Sequence, residues 1–269
     1  MNKKKRFEKI CRDIRQIKIQ GATNIAKAAL YAYSLFPTKQ TIKKLESLRP
    51  TEPMLINTLK FAEKLPASKI LQHFSNAQSK INILVNKIIK KNSIIFTHCH
   101  STNVSKALIY ANKHHKKFSM YNTETRPLYQ GRKTAIELSR AGIKVATFAD
   151  SAARIAMKKA NIVFFGADAI LKNGNVINKI GSGMFAEIAH QLKKPVYIIA
   201  DSWKFSKRPV QIEERQHKEI WKNVPEQIKI KNPAFEVIEK KYITAIISEY
   251  GILKPLAFVK KAKKEVKVK

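Results

Sequence analysis

Apolar side chains recur at three- and four-residue spacing through the first third of the chain, in segments around 3–18, 22–35, 39–47, 53–64 and 68–91. That is the period of a helix with one buried face. Breaks at Phe36-Pro37-Thr38, Arg49-Pro50-Thr51 and Leu65-Pro66-Ala67 separate the segments, and Gly21 is the one glycine among them. From residue 92 the rhythm changes. SIIFT (93–97), KFSMYNT (117–123), IKVATFA (143–149), NIVFFG (161–166) and PVYIIA (195–200) are short runs rich in β-branched and aromatic residues. Stretches of helical length at 102–115, 130–141, 151–160 and 182–192 lie between them. Strand alternating with helix predicts parallel βαβ units, an open sheet covered on both faces.

The fold class that follows is α/β: an N-terminal helical domain over 1–91, then a Rossmann-like parallel sheet domain over 92–269. The boundary falls in the corner Lys90-Lys91-Asn92. A chain of 269 residues is long enough to bury a proper core. No stretch of about 18 apolar residues occurs, so no membrane-spanning segment is expected. The basic start MNKKKRFEKI is followed by no apolar core and cleavage site. Cys11 and Cys99 are too few for a disulfide framework, and a reducing cytoplasm is the expected location.

Charge changes the picture only partly. The net charge is +34, but 43 of the 53 basic residues are lysines spread along the whole chain. No RGG tract, zinc-finger spacing or aromatic-rich RNP pattern accompanies them, which argues against nucleic acid as the partner and for a Lys-rich solvated surface. The densest block, KKAKKEVKVK at 260–269, reads as a frayed tail. A phosphorylated substrate would be drawn by the same field.

In open parallel sheets ligands bind beyond the carboxyl ends of the strands. Those ends carry Thr97-His98-Cys99-His100-Ser101, Thr123-Glu124-Thr125-Arg126, Asp150-Ser151, Gly166-Ala167-Asp168 and Asp201-Ser202-Trp203-Lys204. Three of the four aspartates in the chain stand at this one edge. Cys99 precedes a helix beginning near Ser101, where unpaired amides would lower a thiol pKa and favour a thiolate. The alternative is a small buried Cys packed inertly under the turn. His98 and His100 flank it, but an extended segment points them away from Cys99, and no second ligand pair follows, so no metal is expected. Asp168 is either a general acid or base or a turn cap, and Asp150 with Ser151 reads as a helix N-cap. Asn178-Lys179-Ile180-Gly181-Ser182-Gly183 opens a helix as a candidate phosphate cradle. Gly21-Ala22-Thr23 and Arg49-Pro50-Thr51 are further candidates for holding an anion.

Thr123-Glu124-Thr125-Arg126-Pro127 with Gln130-Gly131, then Gly166-Ala167-Asp168 and Asn178-Lys179-Ile180-Gly181, resemble one superfamily over about residues 15–255. Asn232-Pro233-Ala234-Phe235-Glu236 and Ile246-Ile247-Ser248-Glu249 resemble its closing segment. The superfamily contains ribose-1,5-bisphosphate isomerase, methylthioribose-1-phosphate isomerase and the regulatory subunits of translation initiation factor 2B. Its isomerases carry a Cys after the first strand and an Asp after the fourth, matched by Cys99 and Asp168. Thr97-His98-Cys99-His100-Ser101 is most similar to the archaeal ribose-1,5-bisphosphate isomerases.

The resemblance implies conversion of α-D-ribose 1,5-bisphosphate to D-ribulose 1,5-bisphosphate through a cis-phosphoenolate, in nucleotide salvage feeding a ribulose-bisphosphate carboxylase. Protonated Asp168 would assist ring opening and a Cys99 thiolate would remove the C2 proton. Gly21, Ala22 and Thr23 would approach one phosphate with Arg49. Ser101, Thr102 and Asn103 would line the pocket, and Asn178, Lys179 and Lys204 would complete the clamp. Gln20 stands where the family has Arg, removing a positive charge from that phosphate site. The implied protein needs no cofactor and assembles as a homo-oligomer, a dimer or a ring of dimers. The alternative is a non-catalytic regulatory subunit.

Overall fold

A computed structural model describes residues 2–265. Helix α1 (Lys3–Arg15) starts where the Asn2 side chain accepts the Lys5 N–H at 2.9 Å, and it buries Phe7, Cys11 and Ile14 at helical spacing. It ends earlier than the periodicity suggests, because Ile17 turns left-handed at φ 59°. Helix α2 (Ala22–Leu35) is entered through Gly21 at φ 85° and buries a mostly small face of Ala22, Ile25, Ala26, Ala29, Leu30 and Ala32. Thr38 caps α3 (Lys39–Leu48), and Pro53 opens α4 (Pro53–Ala62), where its missing N–H costs nothing. Ile14, Ile25, Leu45, Leu55 and Leu59 close the core between these helices. Helix α5 (Ala67–Ile88) reaches further, and Ile81, Val85 and the following Ile89 pack beneath the sheet against Ile95 and Phe164.

The chain then alternates β1 (Ser93–Thr97), α6 (Thr102–Lys113), β2 (Phe118–Thr123), α7 (Gln130–Arg140), β3 (Lys144–Phe148), α8 (Ala153–Lys159) and β4 (Ile162–Phe165). It continues through β5 (Ala169–Leu171), β6 (Val176–Lys179), α9 (Ser182–Gln191), β7 (Val196–Ile199), β8 (Phe205–Ser206), β9 (Phe235–Ile238), β10 (Ala245–Ser248), β11 (Gly251–Leu253) and α10 (Pro255–Glu265). Seven strands form one sheet in the order β11-β10-β7-β4-β1-β2-β3, parallel except for β11. Ile95 of β1 sits between Met120 of β2 and Ile162 of β4. Both faces are apolar, as a parallel sheet between helix layers requires. Phe96, Val163, Phe165, Ile198 and Ile246 point to one core, and Ile95, Phe164, Ile199 and Ile247 to the other.

This strand order fixes where a ligand can enter. From β1 the chain winds outward through β2 and β3, then crosses back to β4 on the other side. The switch point therefore lies between the carboxyl ends of β1 and β4, where the flanking connections diverge and leave a crevice.

Two features depart from the sequence expectation. A second sheet, β8-β5-β6-β9, folds over the strand ends, with β6 antiparallel to both β5 and β9. The block read as a frayed tail is helical through Glu265, because Phe258, Val259 and Ala262 give α10 a buried face; its last four residues lie outside the described region.

Candidate active site

One cavity opens at the switch point. Gln20, Gly21, Ala22 and Thr23 line it from the start of α2, and Arg49 from the turn before α4. Ser101, Thr102 and Asn103 line it from the start of α6, Asn178 and Lys179 from the end of β6, and Lys204 from the segment after β7. Cys99 and Asp168 lie at the ends of β1 and β4. Cys99, Asp168 and every substrate-binding residue that the resemblance implies thus line the same cavity, whereas Asp150, Asp201 and the Gly181-Ser182-Gly183 turn do not. A methyl group added to Gly21 would lie 3.9 Å from the Thr102 hydroxyl, so the N-termini of α2 and α6 open onto each other. Two positive helix ends facing one space suit an anion.

Cys99 is held by its backbone. β1 stops at Thr97, and Cys99 adopts φ 65°, a left-handed conformation rather than the extended one expected. Its N–H donates to Thr125 Oγ1 at 2.9 Å, and its carbonyl accepts from Thr134 Oγ1 at 2.9 Å. Thr125, itself at φ 64°, is fixed in turn by Asp150, whose two oxygens accept the N–H groups of Thr125 and Arg126 at 2.9 and 2.7 Å. Asp150 therefore supports this loop instead of capping a helix. Both flanking imidazoles are hydrogen-bonded away from the thiol, although His100 still lines the cavity. His98 Nε2 donates to the Ile180 carbonyl at 2.8 Å while Nδ1 meets Thr123 Oγ1, and His100 Nδ1 meets Thr134 Oγ1 at 3.0 Å. Burial holds both rings neutral, with pKa values pushed down to about 4.

Of the two readings of the thiol, burial favours the protonated one. Burial pushes the Cys99 pKa up to about 11, against the pull of Lys179. The Ser101 hydroxyl caps α6, accepting from Val104 N–H at 3.5 Å, and the His100 N–H draws the thiol pKa down, but burial outweighs it. Asp168 is raised by the same desolvation, although Lys204, Lys179 and Arg49 draw it down, and burial lowers Lys204 in return. The Asp168 N–H is taken by the Ile177 carbonyl at 2.9 Å, which starts the β5–β6 hairpin directly over the crevice. Gly166 is required here: a Cβ would sit 2.6 Å from Ser101 Oγ, so β4 could not approach α6.

The Gly181-Ser182-Gly183 turn is not the phosphate cradle its sequence suggests. Glu236 of β9 occupies the start of α9, accepting the Gly183 N–H at 2.7 Å. Asn178 and Lys179 still face the cavity, the first donating to Ser182 Oγ at 2.7 Å and the second lying over the Phe235 ring at 4.7 Å. Asp201 also turns elsewhere, pairing with His73 at 3.2 Å and accepting the Trp203 N–H. Trp203 is stacked between Phe61 and His73, with ring centroids 4.3 and 3.9 Å away, and this sandwich anchors the segment carrying Lys204. Asn57 of α4 pins the same segment, donating to the carbonyls of Trp203 and Phe205.

Sequence reasoning missed Glu52, Gln130 and Arg215, which line the same wall. Glu52 Oε1 lies 3.2 Å from Arg49 Nη2, and burial with the neighbouring Asp168 pushes its pKa up to about 8. The three-residue spacing from Arg49 carries no signal until both side chains are seen to be buried. Arg215 lies in an irregular stretch with no periodicity and is tied to Glu213 and Glu219.

Residues 37–255 match the Initiation factor 2 subunit family. The chain belongs to this family. It is 34% identical to the ribose 1,5-bisphosphate isomerase of Methanocaldococcus jannaschii, over 94% of this chain and 91% of that one. It is 31% identical to the protein of the same name from Archaeoglobus fulgidus, over 90% and 88%. The crystal structure of Pyrococcus horikoshii translation initiation factor eIF-2B superposes with a TM-score of 0.83 at 26% identity, covering 93% of this chain and 97% of that one. The family match begins after α2, so the Gln20–Thr23 wall of the cavity lies outside it, although the isomerases align over most of the chain. No helix among the described residues is long and apolar enough to cross a membrane.

Proposed function

We propose that this family member converts α-D-ribose 1,5-bisphosphate to D-ribulose 1,5-bisphosphate. The observation that carries the reading is the meeting of Cys99 and Asp168, from the two strands that flank the switch point, inside a cavity walled by Arg49, Lys179 and Lys204. Two phosphates bring about four negative charges at neutral pH. The α2 and α6 N-termini with Arg49 would take one phosphate, and Lys179 and Lys204 with Asn178 the rest of the substrate. Residues 1–91 act as a helical cap on a Rossmann-like body of 92–269. The enzyme works in the cytoplasm as a homo-oligomer.

The chemistry balances with two groups. Asp168, kept protonated by burial, gives its proton to the ring oxygen as the C1–O bond breaks. The Cys99 sulfur takes the proton from C2, and the electron pair forms the C1–C2 double bond of a cis-phosphoenolate. Asp168, now a carboxylate, accepts the C2 hydroxyl proton as the carbonyl forms. Cys99 returns a proton to C1, and both groups end as they began. Because the resting thiol has a pKa of about 11, only roughly one molecule in ten thousand carries the thiolate at pH 7. Turnover should therefore climb with pH until another group limits it.

Phosphorus and proton NMR with α-ribose 1,5-bisphosphate in deuterated buffer tests the reading. Appearance of ribulose 1,5-bisphosphate, abolished in Cys99→Ser and Asp168→Asn, with deuterium at C1, supports it. Absence of turnover in folded protein at low salt rejects it and leaves a non-catalytic regulatory subunit.

A further inference from the structure

Glu52 and Arg215 are charged groups of the cavity that this reaction does not use, and Glu52 is the more deeply buried of the two. It is 2% exposed, and its Oε1 lies 3.2 Å from Arg49 Nη2. Its Oε2 is buried with no hydrogen-bond partner among the described residues, as are Arg49 Nε and Thr51 Oγ1 beside it. Arg49 is also 3.5 Å from Glu213 Oε2. At rest, then, the arginine of the anion site is held by two acids. The remaining charges facing Glu52 and its neighbour Asp168 are Lys179 and Lys204. Arg215 is engaged by Glu213 and Glu219. With Asp168 protonated, as the reaction requires, an ionised Glu52 still neutralises Arg49, the cation it lies against at 3.2 Å, and leaves only Lys179 and Lys204 to meet two phosphate dianions in a desolvated space, where unpaired charge is costly.

Resting on the bisphosphate reading above, we propose that Glu52 is a positioning residue that must carry a proton for the substrate to bind. Neutral Glu52 releases Arg49 to the phosphate and turns Oε2 into a hydroxyl donor inside the cavity. Ionised Glu52 keeps Arg49 for itself and repels the ligand. The raised affinity of Glu52 for a proton, near pH 8, places this exchange just above neutrality. Binding in that range takes up a proton from solvent.

The test is calorimetric titration of the whole protein with ribulose 1,5-bisphosphate between pH 7.5 and 9, in buffers of different ionisation enthalpy, alongside KM and kcat across the same range. Phosphate groups are already fully ionised there, so they add no proton exchange of their own. The wild type should take up about three-quarters of a proton per site at pH 8.5, and KM should rise about fivefold from pH 8 to 9 without a matching fall in kcat. Glu52→Gln, neutral at every pH, should lose both the uptake and the slope. Absence of uptake in the wild type overturns the proposal even if the variant fails to fold. An unchanged KM slope in folded Glu52→Gln overturns it while turnover leaves the isomerase reading standing. Binding with proton uptake but no turnover would sink the isomerase reading and leave Glu52 in its role. If the bisphosphate does not bind at millimolar concentration, both fall.

Discussion

Alkylation of Cys99 by iodoacetamide, in a Cys11→Ser background, probes the cavity's electrostatics at its reacting atom. The ordinary thiol pKa is 9.0, and burial pushes Cys99 to about 11, with Lys179 as the main group pulling the other way. Two pH units correspond to about 2.7 kcal/mol against the thiolate. At pH 8 the ionised fraction falls from about one in ten to about one in a thousand, so the native protein should react roughly a hundredfold more slowly than the same chain in guanidinium. Access alone could slow the reagent, so the decisive quantity is the shape of the rate profile. A buried thiol gives a rate that climbs tenfold per pH unit through pH 10. Lys179→Met should push the profile further to the alkaline side. A plateau below pH 8 would mean a thiolate at rest, stabilised as a helix N-terminus would stabilise it, and would refute the desolvation argument.

Further outcomes follow from the same geometry. Gly166→Ala places a methyl group 2.6 Å from Ser101 Oγ and 2.7 Å from its Cβ, and should cost about 1–3 kcal/mol by overpacking, read as a lower Tm with turnover lost. Gly131→Ala is more severe, since its Cβ would lie 1.8 Å from the Thr123 carbonyl oxygen, and it should yield little folded protein by circular dichroism. Stability should fall as pH rises from 6.5 to 8. Glu52 holds its proton more tightly folded than unfolded, so its contribution is lost up to its folded pKa of about 8, amounting to about 2 kcal/mol across that window. His98 and His100, with depressed folded values of about 4, act in the opposite direction until the unfolded imidazoles have lost their protons, and together they offset about 0.8 kcal/mol of that loss between pH 6.5 and 8. Melting curves of the wild type and Glu52→Gln should diverge between those two pH values, and parallel curves would contradict the assignment.

Much of this was legible in the chain. The strands at 93–97 and 161–166 and the residues following them carry strong local signals, and the switch-point rule turns those signals into a place. The second sheet was not legible. β5 has three residues and β8 two, too few to show a period, and β6 pairs with β9 across more than fifty residues. The same distance hid Glu236 at the start of α9, which made Gly181-Ser182-Gly183 look open. The choice between a thiolate and a buried thiol at Cys99 was left open by the sequence for a different reason. A helix start is visible in sequence, whereas the desolvation that outweighs it depends on how closely the cap, the hairpin and Lys179 enclose the sulfur. Glu52 illustrates the same limit, since an Arg and a Glu three residues apart are ordinary on a surface and unusual only when both are buried.

The stack of Phe61, Trp203 and His73 gives the protein an intrinsic optical probe. The chain has two tryptophans, and Trp221 is largely exposed, so Trp221→Phe leaves one indole inside the fold, next to Lys204 in sequence. Burial opposes a charge on His73, but Asp201 bonds to it and raises its pKa, and a stacked imidazolium quenches indole emission. A ligand that draws Lys204 toward its phosphate would shift Trp203 within that sandwich, so occupancy of the cavity could be followed by fluorescence in real time, without a label and without turnover.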